Sequence, residues 1–259
     1  MHSLFHSRDA NSLPTAEPVT TVFPRIEGAD IASVFIGKRV AGDFYDSIRV
    51  SPERVLFGLL DVSGRRDDNR SVLAAAQEIF RTVGTELFSR SDINESEAMT
   101  ELSLRINRGL IDMAGGEAVG GVRSCPAFIG CYHEVFGTLC YANAGHTPGL
   151  LRDSKGIAEL ASRGLPLGLF SHATADAPTV GLEKGAELLL VSHGVVACMG
   201  QTGDSTTEFG LDRVGQIFRA APPSGAKALC ISVLNAVAEF AGNSPVSDDQ
   251  TALALVRTE

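Results

Sequence analysis

Strands, two helices, more strands, two further helices and a closing strand define an α+β chain. The architecture predicted is a sandwich of antiparallel sheets with helices over its outer faces. Three observations carry this. Short β-branched and aromatic runs are separated by turn residues, apolar residues recur with a 3.6-residue period in two separate stretches, and neither a repeat nor a composition break divides the 259 residues. The elements follow in order. Ile31-Ala32-Ser33-Val34-Phe35-Ile36-Gly37 reads as a strand, and Asp43–Val50 and Arg54–Asp61 read as antiparallel strands joined at Ser51-Pro52-Glu53. Val72, Ala75, Ala76, Ile79, Val83 and Leu87 mark one amphipathic helix between Asn69 and Phe88, and Ala98, Leu102, Ile106 and Leu110 mark a second between Glu97 and Met113. Strands return at Cys125–His133, Thr138–Gly145 and Leu150–Asp153, with turns at Glu134–Gly137 and Asp153–Gly156. Pro166–Thr179 has no period and is predicted to be a long loop. Glu187–Gly194 is a buried strand running into a glycine turn, Leu211–Ala220 and Ala226–Ala241 are helices, and Thr251–Arg257 closes the chain as a strand.

Composition bounds the function classes. With 44% hydrophobic and 20% charged residues the chain is globular. Its mean hydropathy is +0.11. The 22 Lys+Arg against 31 Asp+Glu leave a net charge of −9, which gives no general attraction to nucleic acid or to an anionic membrane surface. The five cysteines are odd in number, contain no CxxC and lie in apolar stretches, so they are expected to be reduced and buried. Residues 1–24, punctuated by Pro14, Pro18 and Pro24, read as a leader or surface clasp, and 25–259 as the single domain. No signal sequence or spanning apolar run is present, so a cytoplasmic location is expected. The glycine-rich Gly115–Gly121 follows a helix and precedes a strand, the reverse of a dinucleotide-binding turn, and reads as a connection.

The chemistry is concentrated in acidic residues. Asp43 stands in Ala-Gly-Asp-Phe-Tyr-Asp, Asp61 ends the apolar run Val-Leu-Phe-Gly-Leu-Leu, and Asp248 and Asp249 open the last strand in Ser-Asp-Asp-Gln-Thr. An aspartate at the end of a buried strand must cap a turn, pair with a cation or bind a metal. Several carboxylates converging from different strand ends are the hard oxygen donors that Mg²⁺ and Mn²⁺ prefer, and a shared carboxylate can hold two ions about 3.5–4 Å apart. No CX5R loop or GxSxG elbow offers a cysteine or serine nucleophile.

Taken together and in order, AGDFYD, LLDVSG, ANAGHTPGLL, GLPLGL, ELLLVSHGV, FGLDRV and SDDQTALAL resemble the metal-dependent PPM (PP2C-type) phosphatases, in the bacterial branch that includes the SpoIIE and RsbU serine phosphatases. The match runs from about Ile26 to Arg257. The resemblance implies an αββα sandwich and a serine/threonine phosphoprotein phosphatase that uses a metal-activated water, with two Mn²⁺ or Mg²⁺ ions. It implies that Asp61 bridges the two ions, that the Val62 carbonyl is a further ligand, that Asp248 holds one ion from the opposite strand end and that Asp43 acts chiefly through bound water. Asp249 falls where the family carries Asp or Asn and reads as supporting. Asn143, Gly145 and His146 match the NAGH turn, where a structural and a catalytic histidine both stand as readings.

Two departures from the family pattern bear on activity. Ser192-His193-Gly194 replaces Thr-Asp-Gly, so His193 stands in place of a metal-binding aspartate and is expected to turn toward Asp61 and Asp248 rather than to solvent. Arg65-Arg66-Asp67-Asp68-Asn69 replaces a His-Gly loop, where Arg65 and Arg66 read either as a phosphate clamp or as a solvated turn. The alternative function is therefore a pseudophosphatase that binds a phosphoprotein or regulator without hydrolysis. In this branch the substrate is typically a phosphorylated anti-sigma-factor antagonist. With no sensor or coiled-coil segment in the sequence, regulation is expected from a partner in trans.

Overall fold

The computed structural model describes residues 22–36, 42–62, 66–115, 124–171, 176–202, 205–242, 244 and 248–259. Its strands are β1 (Ala29–Ile36), β2 (Asp43–Ser51), β3 (Arg54–Asp61), β4 (Ala127–His133), β5 (Thr138–Ala144), β6 (Gly149–Asp153), β7 (Gly156–Leu160), β8 (Thr179–Gly181), β9 (Glu187–Val191), β10 (Met199–Thr202), β11 (Ser205–Glu208) and β12 (Gln250–Arg257). The helices are α1 (Arg66–Phe88), α2 (Glu95–Gly115), α3 (His193–Val196), α4 (Gly210–Ala220) and α5 (Ala226–Ala241). Two five-stranded sheets run in the orders β1-β12-β9-β6-β7 and β2-β3-β4-β5-β8, with antiparallel pairing throughout, and β10-β11 forms a separate hairpin.

The period-two alternation of side chains explains the layers. In β3, Val55, Phe57 and Leu59 point between the sheets and meet Phe128, Tyr141, Leu188, Leu190, Leu253 and Leu255. Leu56 and Leu60 point the other way and pack under α1 and α2 against Leu73, Phe80, Leu102 and Ile106. Both faces of β3 are therefore buried, which is why its sequence is an unbroken apolar run. On the other sheet Leu189, Val191, Ala252 and Ala254 face outward beneath Phe218, Val233 and Leu234 of α4 and α5. The result is an αββα sandwich, as expected.

Several boundaries differ from the sequence reading. The first strand does not extend the β2-β3 hairpin. It crosses to the other sheet and pairs with β12 along its whole length, Ala29 opposite Arg257 and Ile36 opposite Gln250. The second helix begins two residues early because the Asn94 side chain accepts the backbone N–H groups of Ser96 and Glu97, at 3.1 and 3.3 Å. The edge strand β7 carries no apolar alternation because it is largely exposed, and the glycine turn after β9 winds into the short helix α3. Residues 1–21 of the predicted leader lie outside the described residues. Phe23 stacks on Tyr45 at 6.1 Å, so the chain is held against the sandwich by that point. The glycine-rich connection also lies outside the described residues apart from Gly115, which ends α2. All five cysteines are buried free thiols.

Candidate metal centre

The antiparallel register brings the open ends of both sheets to one end of the sandwich. Asp43, which starts β2, lies directly opposite Asp61, which ends β3. Register partners in an antiparallel pair project to the same side, so their carboxyl groups are neighbours. The backbone around them is tied across the strands: Val62 N–H donates to the Gly42 carbonyl at 3.2 Å and Asp61 N–H to Pro126 at 2.9 Å. A Cβ on Gly42 would lie 2.0 Å from the Val62 oxygen, so only glycine permits this approach. The same carbonyl accepts from Asn69 Nδ2 of α1 at 3.3 Å, which fixes its direction.

Asp248 and His193 arrive from the facing sheet. Ser192 joins β9 to β12: its N–H donates to the Thr251 carbonyl at 2.9 Å, its hydroxyl donates to the Asp249 carbonyl at 3.1 Å, and Thr251 N–H donates to that hydroxyl at 3.0 Å. A Cβ on Gly194 would lie 2.1 Å from the Asp249 oxygen and 3.0 Å from Asp248 Cβ, so glycine here lets the start of α3 close on the Asp248-Asp249 turn. Asp248 Oδ1 accepts the Asp249 N–H at 2.8 Å, and its Oδ2 lies 3.8 Å from His193 Nδ1.

The electrostatics of the cluster are unfavourable without a cation. Asp43 is buried. Its Oδ2 accepts from the Thr251 hydroxyl at 2.6 Å and its Oδ1 has no hydrogen-bond partner. Burial, then the charge on Asp61, hold the Asp43 carboxyl well above its usual range, and burial with the charge on Asp248 raises Asp61. Asp249 is 1% exposed and neither of its carboxylate oxygens has a partner. Among the described residues no three His, Cys, Asp or Glu side chains close into a ready coordination shell. The site is a gathering of oxygen donors around an unmet demand for positive charge. The donor set, carboxylates with one backbone carbonyl, suits Mg²⁺ or Mn²⁺.

Each residue singled out from the sequence has a definite place. Asp43, Asp61, Val62, Asp248 and Asp249 come together, with His193 at their rim. The His193 ring is beside Asp248 but 67% exposed, which corrects the expectation that it turns away from solvent. It is the first residue of a helix, so its side chain leaves the strand direction that would have aimed it inward. Arg65 lies outside the described residues, as does the side chain of Arg66, whose backbone opens α1.

In the NAGH turn Asn143 is fully buried and braces the loop. Its Oδ1 accepts His146 N–H at 2.9 Å and its Nδ2 donates to the Leu160 carbonyl at 3.1 Å. His146 is buried, with Nδ1 2.9 Å from the Thr147 carbonyl and Nε2 unpartnered. Burial lowers its pKa to about 4, so the ring is neutral at pH 7. Its folded value lies below the unfolded one, so the stability this neutral ring contributes is present above about pH 6.5 and lost as pH falls toward 4.

Sequence reasoning missed Ser192, Thr251 and Asn69, the side chains that brace the acidic ones. Their adjacency to the motifs was the only available signal. It also left Asp46 unassigned. Asp46 is fully buried and takes hydrogen bonds from Arg81 Nε at 2.6 Å and Gln77 Nε2 at 3.1 Å, which fastens β2 to α1. Cys125 is buried near Asp61, and burial followed by that carboxylate's charge raises its thiol pKa, so it is no nucleophile at neutral pH.

An αββα sandwich with acidic residues at the sheet ends is the PP2C-type phosphatase fold, and solved structures agree. The SiaA-PP2C domain of Pseudomonas aeruginosa superposes with a TM-score of 0.71 at 18% identity, over 86% of this chain and 83% of that one. RsbX, solved in complex with magnesium, gives 0.62 at 13% identity over 92% and 99%. The family model for Stage II sporulation protein E (SpoIIE) matches residues 51–258, and the chain belongs to that family of PP2C-type serine/threonine phosphatases. Phosphoserine phosphatase RsbU of Bacillus subtilis (strain 168) is 24% identical over 186 residues, 71% of this chain and 51% of that protein, so the chain spans about half the length of this curated relative. Among the described residues no helix is long and apolar enough to cross a membrane.

Proposed function

We propose that residues 25–259 form a metal-dependent phosphatase domain that removes phosphate from phosphoserine or phosphothreonine of a protein. The observation that carries this reading is the meeting of Asp43, Asp61 and Asp248 at one end of the two sheets, with Asp43 Oδ1 and both Asp249 carboxylate oxygens buried and unpartnered. When bound there, two Mn²⁺ or Mg²⁺ ions would supply Lewis acidity toward the phosphoryl oxygens and would lower the pKa of a water so that its deprotonated form is available as the nucleophile at neutral pH, with its proton released to solvent and no phosphoenzyme needed.

The chain's own residues do the rest. In this reading Asp61 would be the carboxylate common to both ions, Asp248 would hold one from the facing sheet, and the Val62 carbonyl, which accepts from Asn69, would add a neutral donor. Thr251 holds one oxygen of Asp43 and leaves the other without a hydrogen-bond partner. The Ser192 hydrogen bonds lock the end of β9 to the start of β12, next to Asp248. His146 is uncharged at neutral pH and so adds no repulsion to a cation.

By family likeness the substrate is a phosphorylated anti-sigma-factor antagonist, the regulator a partner in trans and the compartment the cytoplasm. The net charge of −9 does not favour nucleic acid. The exposed His193 motivates the second reading, a domain that binds a phosphoprotein without turnover. Release of inorganic phosphate from a phosphoserine peptide separates the two. We expect turnover with Mn²⁺ and none after EDTA. No turnover with any divalent ion contradicts the enzyme reading.

A further inference from the structure

Among the described residues, Asp249 is the most anomalous polar group. It is 1% exposed, and both of its carboxylate oxygens lack a hydrogen-bond partner. No arginine, lysine or histidine among the described residues forms an ion pair with it. Ionised and unpaired, such a group pays a large desolvation penalty. Protonated, its O–H would still have nothing to donate to. Neither form is satisfied by the protein alone.

The main chain of Asp249 is fully engaged in the bracing network. Its N–H is held by Asp248 Oδ1 at 2.8 Å and its carbonyl accepts from Ser192 at 3.1 Å. The side chain is therefore placed by the same contacts that place Asp248. Thr251, two residues further along the chain, donates its hydroxyl to Asp43 Oδ2 at 2.6 Å, and the negative charge of Asp249 bears on both Asp43 and Asp61. Meanwhile the rim of the cluster beside Asp248 carries His193, the first residue of α3, whose ring is 67% exposed and brings no negative charge.

We infer that Asp249 is a cation-binding carboxylate of this site, and that it supplies the negative charge that His193 does not. Two divalent ions need several anionic donors to be held at micromolar concentrations. Asp43, Asp61 and Asp248 provide three, and Asp249 makes the fourth. The inference rests on the metal reading given above, which the same experiment tests separately.

The experiment is calorimetric titration of Mn²⁺ into wild type, Asp249→Asn, His193→Asp and the His193→Asp/Asp249→Asn double variant, with thermal melts of each in EDTA. Wild type is expected to bind Mn²⁺. Asp249→Asn should bind at least about tenfold more weakly. It should melt in EDTA at or above the wild-type temperature, because an unpaired buried carboxylate has been neutralised without change of shape. Adding His193→Asp in that background should recover most of the lost affinity. Asp249→Asn binding Mn²⁺ as wild type does overturns the inference and leaves the metal reading standing. A large fall in the EDTA melting temperature also overturns it, because the carboxyl would then be structural without metal. A wild type that binds no divalent ion overturns both.

Discussion

Replacing Asp61 with Asn is expected to abolish metal-dependent turnover, by at least about 100-fold, while leaving the metal-free fold intact or stabilised. The reason is position. Asp61 lies opposite Asp43 and within the fields of Asp248 and Asp249, and it is the carboxylate both ions would share. An amide of the same shape withdraws charge from both ions, and a loss of about 3 kcal/mol of transition-state stabilisation corresponds to that rate. In the metal-free protein the sign reverses. Burial and neighbouring negative charge raise the Asp61 pKa, so its ionised form is a net liability at neutral pH. That liability sets in as pH rises from the ordinary value of 3.8 and is in full force above the raised one. Removing the charge should raise the melting temperature in EDTA by a few degrees, since about 1 kcal/mol corresponds to roughly 2–4 °C in a chain of this size. Added Mn²⁺ should stabilise wild type strongly and the variant little. Full activity in Asp61→Asn would mean that the site has been misplaced.

The second large effect is expected at His193. Its ring stands 3.8 Å from Asp248 Oδ2 at the rim of the cluster and is mostly exposed. Replacing it with Asp should tighten Mn²⁺ binding by about tenfold or more and increase turnover at low metal, because a carboxylate is added beside Asp61 and Asp248. The same change should lower stability in EDTA, where the new charge has only other carboxylates for neighbours. Replacing His193 with Ala should change affinity by less than about threefold, as an exposed ring at the rim contributes little to an ion held by buried oxygens. Unchanged affinity and rate in His193→Asp would show that this position does not face the metal centre, and would favour binding without hydrolysis. Titration calorimetry and steady-state kinetics on the three proteins read both outcomes.

Much of this was legible in the chain itself. The sandwich followed from unbroken apolar strands such as Val55–Leu60, which only a strand buried on both faces tolerates, and from the period of the two helices. Asp61 was conspicuous because an acid ends that run. What could not be read was anything set by long-range pairing. The move of β1 to the far sheet depends on β12, at the other end of the chain. The exposure of His193 depends on α3, a four-residue helix without a periodic signal. Asp248 and Asp249 are adjacent and chemically identical in sequence. Their difference lies in the turn, which leaves Asp248 at the rim beside His193 and buries Asp249 without partners. Ser192, Thr251 and Asn69 were invisible as site residues for the same reason, since a hydroxyl or amide gains its role only from what it meets across the sheets.

The measurement that tests the central claim most directly is anomalous diffraction from crystals of the wild-type protein grown or soaked with Mn²⁺. Two strong peaks between the sheet ends are expected, bridged by Asp61, with Asp248 and the Val62 carbonyl on the ions and Asp249 turned toward them. No manganese peak at this cluster, in crystals whose site is open to solvent, would contradict the account.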